Sequence, residues 1–189
     1  MKTATESSPT TLLTADDLLR LGNDVRGELI RGVFCEMTPT GHEHGRIVAS
    51  LTHELVAHVK IQQLGVVVAG DTGVQLEHEP DTVRAPDIAF TSSERLPVGQ
   101  ITHRYVQVVP DLVAEVVSPS DRHAEVRDKA RMWLSCGVQL VWVVFPVART
   151  VEVHRVGVDA TETLAEADHL DGGSVLPGFT CSLRRLFAA

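Results

Sequence analysis

Apolar positions recur along this chain with two periods, close to 3.6 and close to 2, and the switches between them set the expected order of elements. T-A-D-D-L-L-R-L opens with Thr14 and has Asp17 three residues on, the reciprocal capping pattern of a short helix. G-E-L-I-R-G-V-F-C-E-M, residues 27 to 37, alternates around Gly32 and reads as a tight hairpin. From His42 to about Gln63 the apolar residues Ile47, Val48, Leu51, Leu55, Val59 and Ile61 keep helical spacing, which predicts one long amphipathic helix. L-G-V-V-V-A-G and T-G-V-Q-L-E-H-E are strands on either side of Gly70 and Asp71, and A-P-D-I-A-F, residues 85 to 90, is a short strand entered through a proline.

Residues 91 to 109, broken by Pro97 and Gly99, read as a loop, with Tyr105 to Val109 able to extend the strand that follows. L-V-A-E-V-V lies within the strand expected over residues 111 to 117. A helix then runs from about Asp121 to Cys136 and stops at Gly137. V-Q-L-V-W-V-V-F-P is the unbroken apolar run of a central strand, with R-T-V-E-V-H-R-V as its hairpin partner. Short strands, a turn at L-P-G (176 to 178) and the terminal segment S-L-R-R-L-F complete the chain. The expected fold is α/β, a mixed central sheet flanked by helices.

At 189 residues the chain suits one domain, expected over residues 12 to 189 behind a disordered polar tail at residues 1 to 11. No apolar run approaches the roughly 18 residues of a membrane span, and the start lacks an apolar leader core, so a soluble cytoplasmic protein is expected. Cys35, Cys136 and Cys181 are isolated and form neither a disulfide framework nor a metal clip. The net charge of −8 argues against a surface that coats nucleic acid generally, while leaving room for a local basic groove or a metal site that attracts phosphate. Only three lysines occur beside fourteen arginines, which draws attention to Lys129 inside a helix.

Nine histidines raise the question of zinc, but His53 and His58 in H-E-L-V-A-H are five apart, one too many to share a helix face as a metal pair requires. His42 and His44 diverge at the start of the long helix, where polarity at a helix entry is the plainer reading and a supporting role for His44 stays open. No G-x-S-x-G, P-loop or G-x-G-x-x-G is present.

The carboxylates carry more. Glu115 interrupts an apolar strand, and Asp87 follows Pro86 at the head of another. If the two strands are neighbours, the side chains lie about 5 Å apart and suit a hard divalent cation such as magnesium. The competing reading is an Asp87 that caps a turn and a Glu115 that faces solvent. From Glu115 the strand travels about 10 Å out to Ser118 at 3.3 Å per residue. The helix from Asp121 to Lys129 returns about 12 Å at 1.5 Å per residue, so Lys129 comes level with Glu115 if the helix packs antiparallel on the strand. Alternatively Lys129 is exposed and pairs with Glu125 one turn earlier.

Two acids on adjacent strands followed by a lysine resemble the PD-(D/E)xK nuclease superfamily. The literal motif is Pro86-Asp87, Glu115 stands in the second acidic position, and Val117 stands where the simplest form has its lysine. E-L-I-R-G, R-A-P-D-I-A-F, D-L-V-A-E-V-V-S-P-S, D-K-A-R-M-W-L-S-C-G-V-Q-L-V-W-V-V-F-P and L-P-G-F together resemble the Uma-two family of bacterial restriction endonucleases, over about residues 12 to 187. Trp133 and Phe145 depart from that family's usual tyrosine and aspartate.

The resemblance implies a restriction-endonuclease-like core and a metal-dependent endonuclease acting on DNA. Asp87, Glu115 and the Val116 carbonyl would hold Mg²⁺ or Mn²⁺. Lys129 would orient the attacking water, with the lysine moved from the strand to the following helix, and Glu28 matches the family's early acid. His44, Arg84, Arg122, Arg127 and Arg131 are the candidates for substrate contact, and a homodimer is expected. The rival expectation is a catalytically inactive nuclease fold kept as a dimerisation or regulatory module, and a third is a hydrolase of small phosphoesters.

Overall fold

In the computed structural model the described residues are 12–22, 25–97, 99–100 and 102–188; the tail expected at 1–11 lies outside them. Helix α1 (Ala15–Leu21) begins with the reciprocal cap read from the sequence: Asp17 N–H donates to Thr14 Oγ1 at 3.1 Å and Thr14 N–H to Asp17 Oδ2 at 2.9 Å. Strands β1 (Gly27–Ile30) and β2 (Val33–Glu36) form the expected hairpin. Its two turn residues, Arg31 and Gly32, have φ of 49° and 77°, the pair of positive values that a two-residue hairpin turn needs. With β4 (Val74–Glu77) and β5 (Thr82–Arg84) they make a small sheet in the order β2-β1-β5-β4, on which Ala15 and Leu18 of α1 pack beside Leu29 and Val83. Strand β5 is only three residues long, too short to show an alternation, and sequence reading missed it.

The larger sheet has six strands in the order β10-β9-β8-β7-β6-β3. They are β3 (Gly65–Ala69), β6 (Ile88–Ser92), β7 (Leu112–Val116), β8 (Leu140–Phe145), β9 (Thr150–Arg155) and β10 (Glu162–Ala165). Only β7 and β8 run parallel, joined by helix α3 (His123–Ser135). Helix α2 (His42–Gln62) covers the opposite face, so the sheet is mixed and flanked on both sides. Ile47, Leu51 and Leu55 of α2 pack on Ile88, Phe90, Leu112, Ala114 and Trp142. Alternate residues Ala89, Val113, Val141 and Val143 turn to Ala130 and Trp133 of α3. Both faces of β8 are covered and all six of its residues are buried, which is why it reads as an unbroken apolar run. The two-stranded pair β11 (His169–Gly172) and β12 (Leu176–Ser182) and the short helix α4 (Leu183–Phe187) close the α2 side. No helix among the described residues is long and apolar enough to cross a membrane.

Four boundaries differ from expectation. The strand expected at 85 to 90 begins at Ile88 and runs to Ser92, because the backbone bends through Pro86 before it can pair. Tyr105 to Val109 makes a single bridge, Val106 to Val74, and no strand. The turn expected at 176 to 178 lies inside β12; the reversal comes earlier, where Val175 N–H donates to the Gly172 carbonyl at 3.1 Å. Helix α3 starts two residues late because Asp121 is occupied with the preceding turn, accepting a bond from Ser118 N–H at 2.8 Å.

Candidate active site

Strands β6 and β7 are neighbours and antiparallel, with Ile88 opposite Ala114. One step back along that register sets Asp87 opposite Glu115. Glu115 belongs to the residues of β7 that face α3, between Val113 and Val117, and it is 6% exposed. A carboxylate in that position needs partners, and α3 supplies two from successive turns. The Trp133 indole N–H donates to Glu115 Oε1 at 2.7 Å, and the Lys129 ammonium lies 3.0 Å from Oε1 and 3.1 Å from Oε2. Lys129 therefore faces inward, as an antiparallel packing of α3 on β7 requires. The alternative partner Glu125 is taken by Arg122 at 3.2 Å.

Proline explains what happens beside Asp87. Two register steps before Ile88, Pro86 stands opposite Val116 and has no N–H to donate. The Val116 N–H, which points to the same side, donates instead to Asp87 Oδ2 at 2.7 Å. Backbone N–H and C=O of one strand residue share a side, so the Val116 carbonyl faces a residue that cannot bond it. The same Oδ2 lies 3.2 Å from His44 Nε2 in the first turn of α2. The bond to Asp87 draws the buried His44 imidazole above its ordinary pKa, against the opposing effect of burial.

Glu28 of β1 reaches across from the small sheet. Its Oε1 accepts the Ala85 N–H at 2.9 Å and lies 3.5 Å from the Lys129 ammonium, while Arg84 Nε approaches Oε2 at 3.1 Å without the alignment of a hydrogen bond. Glu28 is buried at 7% exposure, so it ties β1, the segment leading into Asp87 and the lysine together from behind. Burial pushes the Glu115 carboxyl upward, with Asp87 adding to the rise and Lys129 opposing it. Burial alone would lower Lys129, but Glu115 and Glu28 on either side outweigh it and hold the ammonium above its ordinary value.

Asp87, Glu115, Val116, Lys129, His44 and Arg84 share the wall of an open cleft of about 590 Å³, bounded by the Ser118–Pro119–Ser120–Asp121 turn and the segment from Met37 to Gly41. Glu28 is behind this wall and is not part of its lining. The other arginines read as substrate contacts are elsewhere. Arg127 donates through Nε to both oxygens of Glu152 on β9, at 3.1 and 3.0 Å, and Arg131 pairs with Asp128. Two residues either way on a helix turn a side chain through about 200°, so when Lys129 faces the cleft, Arg127 and Arg131 cannot. Arg122, paired to Glu125, is also outside the lining.

His53 and His58 form no metal pair: His58 packs edge-on against Phe179, with its Nε2 3.1 Å from the Pro177 carbonyl oxygen. Among the described residues no group of three or more His, Cys, Asp and Glu side chains is gathered as a metal cage. Two features of the site went unread in the sequence. The sequence showed Trp133 only as a departure from the family's usual tyrosine and said nothing of its N–H, and nothing local marks Glu28 as a partner of Ala85.

A family model described as "Putative restriction endonuclease" matches residues 15–184. A solved crystal structure, of a protein from Anabaena variabilis ATCC 29413 titled as a putative nuclease belonging to DUF820, superposes with a TM-score of 0.79 at 23% identity, covering 93% of this chain and 97% of that one. At that identity the likeness establishes a shared restriction-endonuclease-like fold. No curated protein matches the chain. The family match takes in nearly the whole length, from α1 to α4, and with it the chain belongs to the Uma2 family.

Proposed function

We propose that the chain is a metal-dependent endonuclease that hydrolyses phosphodiester bonds in DNA. One observation carries the reading: a lysine held between two buried carboxylates stands on the wall of an open cleft beside the opposed pair Asp87 and Glu115. The donor set fits magnesium or manganese. These ions take one or two carboxylates and complete their shell with water and phosphate oxygens, so no cage of three side chains is needed. Asp87 and Glu115 are on one wall, and the Val116 carbonyl has no donor opposite it. Bound to those three groups, the ion would polarise the phosphate and lower the pKa of a water.

The chain's own residues do the rest. Val116 N–H fixes the Asp87 carboxylate, and Trp133 fixes Glu115. Lys129 is kept protonated and offsets negative charge that builds on the phosphate as the water attacks, and it orients that water through its N–H bonds. Glu28 holds the lysine from the rear and pins the backbone ahead of Asp87. His44 and Arg84 add donors at the cleft for the phosphate backbone.

The test is cleavage of supercoiled, linear, single-stranded and branched DNA with Mg²⁺ or Mn²⁺, run beside Lys129→Ala and Glu115→Ala. Cleavage that requires the metal and disappears in both variants, with the thermal transition still cooperative, supports the reading. Metal-dependent cleavage that survives both substitutions overturns the site, and a wild type inert on every substrate with no metal-induced rise in Tm favours a binding module.

A further inference from the structure

The six-stranded sheet has two edges, and they are built differently. At β10, Glu162 pairs with Arg155 at 2.7 Å, and just past the strand Glu166 pairs with Arg149 at 2.7 Å. Charges along an edge oppose the addition of another strand. The opposite edge, β3, is Gly65-Val66-Val67-Val68-Ala69: no charge, no proline, and five residues in unbroken register with β6. All five are partly exposed, and among the described residues β3 pairs with β6 alone. A regular apolar edge without any protecting device invites strand pairing.

The flanking hydrogen bonds determine which peptide groups point outward. Ser93 N–H donates to the Leu64 carbonyl at 2.9 Å, and Gly70 N–H to the Asp87 carbonyl at 3.2 Å. Residues 64, 66, 68 and 70 therefore turn their backbone groups to β6, and Gly65, Val67 and Ala69 turn theirs to the open side. The Ala69 carbonyl accepts the Thr72 hydroxyl at 3.2 Å and keeps a second lone pair. Three outward residues centred on Val67 are self-complementary when a second strand runs antiparallel. An axis through Val67 sets it against its own counterpart, and Gly65 against the counterpart of Ala69, with each pair exchanging both N–H···O bonds.

We propose that β3 is the edge through which two copies of this chain associate, antiparallel and about a two-fold axis at Val67, joining the two six-stranded sheets into one. The pairing is isologous, so it closes as a dimer. It uses none of the cleft residues and stands apart from the nuclease reading.

Sedimentation equilibrium of the full chain is expected to give about twice the 20.5 kDa chain mass, falling two-fold in Val67→Lys, which brings two ammonium groups together on the axis. Because Val67 also packs partly on the core, a second measurement needs no variant. In the wild type the amides of Val67 and Ala69 should exchange slowly when the protein is concentrated and quickly when it is dilute, while those of Val66 and Val68 stay slow in both. A chain that sediments as a monomer at every concentration overturns the proposal, and so does a dimer in which the Val67 and Ala69 amides exchange freely.

Discussion

The Lys129 ammonium lies 3.0 Å from the Glu115 carboxylate, linking the second turn of α3 to the middle of a fully buried strand. Neither charge is tolerable there alone. An ion pair of this kind contributes little net stability compared with an apolar pair, yet breaking it from one side leaves an uncompensated charge in the interior.

Lys129→Met should therefore destabilise the fold by about 3 kcal/mol, the cost of removing one partner of a buried pair. Joining it with Glu115→Gln should recover a substantial part of that loss, since no unpaired charge remains. Denaturant unfolding of the two single variants and the double variant measures the coupling. Under the proposed function all three should be inactive, so stability recovers while cleavage does not. Simple additivity of the two stability losses would mean that the pair is not coupled in solution.

Trp133→Phe removes the N–H that Glu115 Oε1 accepts at 2.7 Å and also trims a fully buried ring. One lost hydrogen bond to a charged group costs about 1.5–3 kcal/mol, so the variant should fold with a lower Tm. Its more telling effect is on position. With one restraint gone, Glu115 should bind Mn²⁺ more weakly, and a titration of Tm against metal should need a higher midpoint. An unchanged midpoint would remove Trp133 from the site.

How far the sequence led can be judged at Glu115 itself. A lone acid in an apolar strand, a proline ahead of Asp87 and the counted return of the helix to Lys129 were all local signals, and the structure brings these residues to one cleft wall. Arg127 was misplaced because proximity in sequence to Lys129 says nothing of helix face until one residue's direction is known. Glu28 and Ala85 are far apart in the chain, and their bond depends on β5, a strand too short to leave a pattern. The order of strands in the two sheets was likewise hidden, since β3 and β4 are consecutive yet belong to different sheets.

Glu28 offers a prediction that separates charge from hydrogen bonding. Glu28→Gln retains an oxygen for the Ala85 N–H but withdraws a negative charge from Lys129. The fold should survive with little change in Tm, and the lysine, losing one of the two carboxylates that hold its pKa up, should titrate at lower pH. The alkaline limb of a cleavage profile should move downward accordingly. Glu28→Ala leaves the buried Ala85 N–H without an acceptor and should cost a further 1–3 kcal/mol, about the penalty for an unsatisfied buried donor. Equal stability of the two variants would show that the Ala85 bond contributes nothing.

The far side of α3 sets the response to acid. The hydrogen bonds from Arg127 hold the Glu152 carboxyl below its ordinary 4.5, and burial holds the His154 imidazole below its ordinary 6.5. In both cases the unfolded chain binds the proton more readily, so acid favours unfolding. The His154 contribution is complete above pH 6.5 and is lost as the pH falls toward its folded value. That of Glu152 is complete above 4.5 and is lost below it, as the pH falls through the folded value. Stability measured by denaturant between pH 7.5 and 3.5 should thus carry two declining stages, the first partly offset by His44, whose raised pKa favours the fold as it gains its proton. His154→Gln should flatten the first stage and leave the second, whereas Arg127→Met should weaken the second, because Glu152 then lacks the donor that depresses it. A His154→Gln variant whose stability changes between pH 7 and 5 just as the wild type's does would show that His154 is not held neutral by its surroundings.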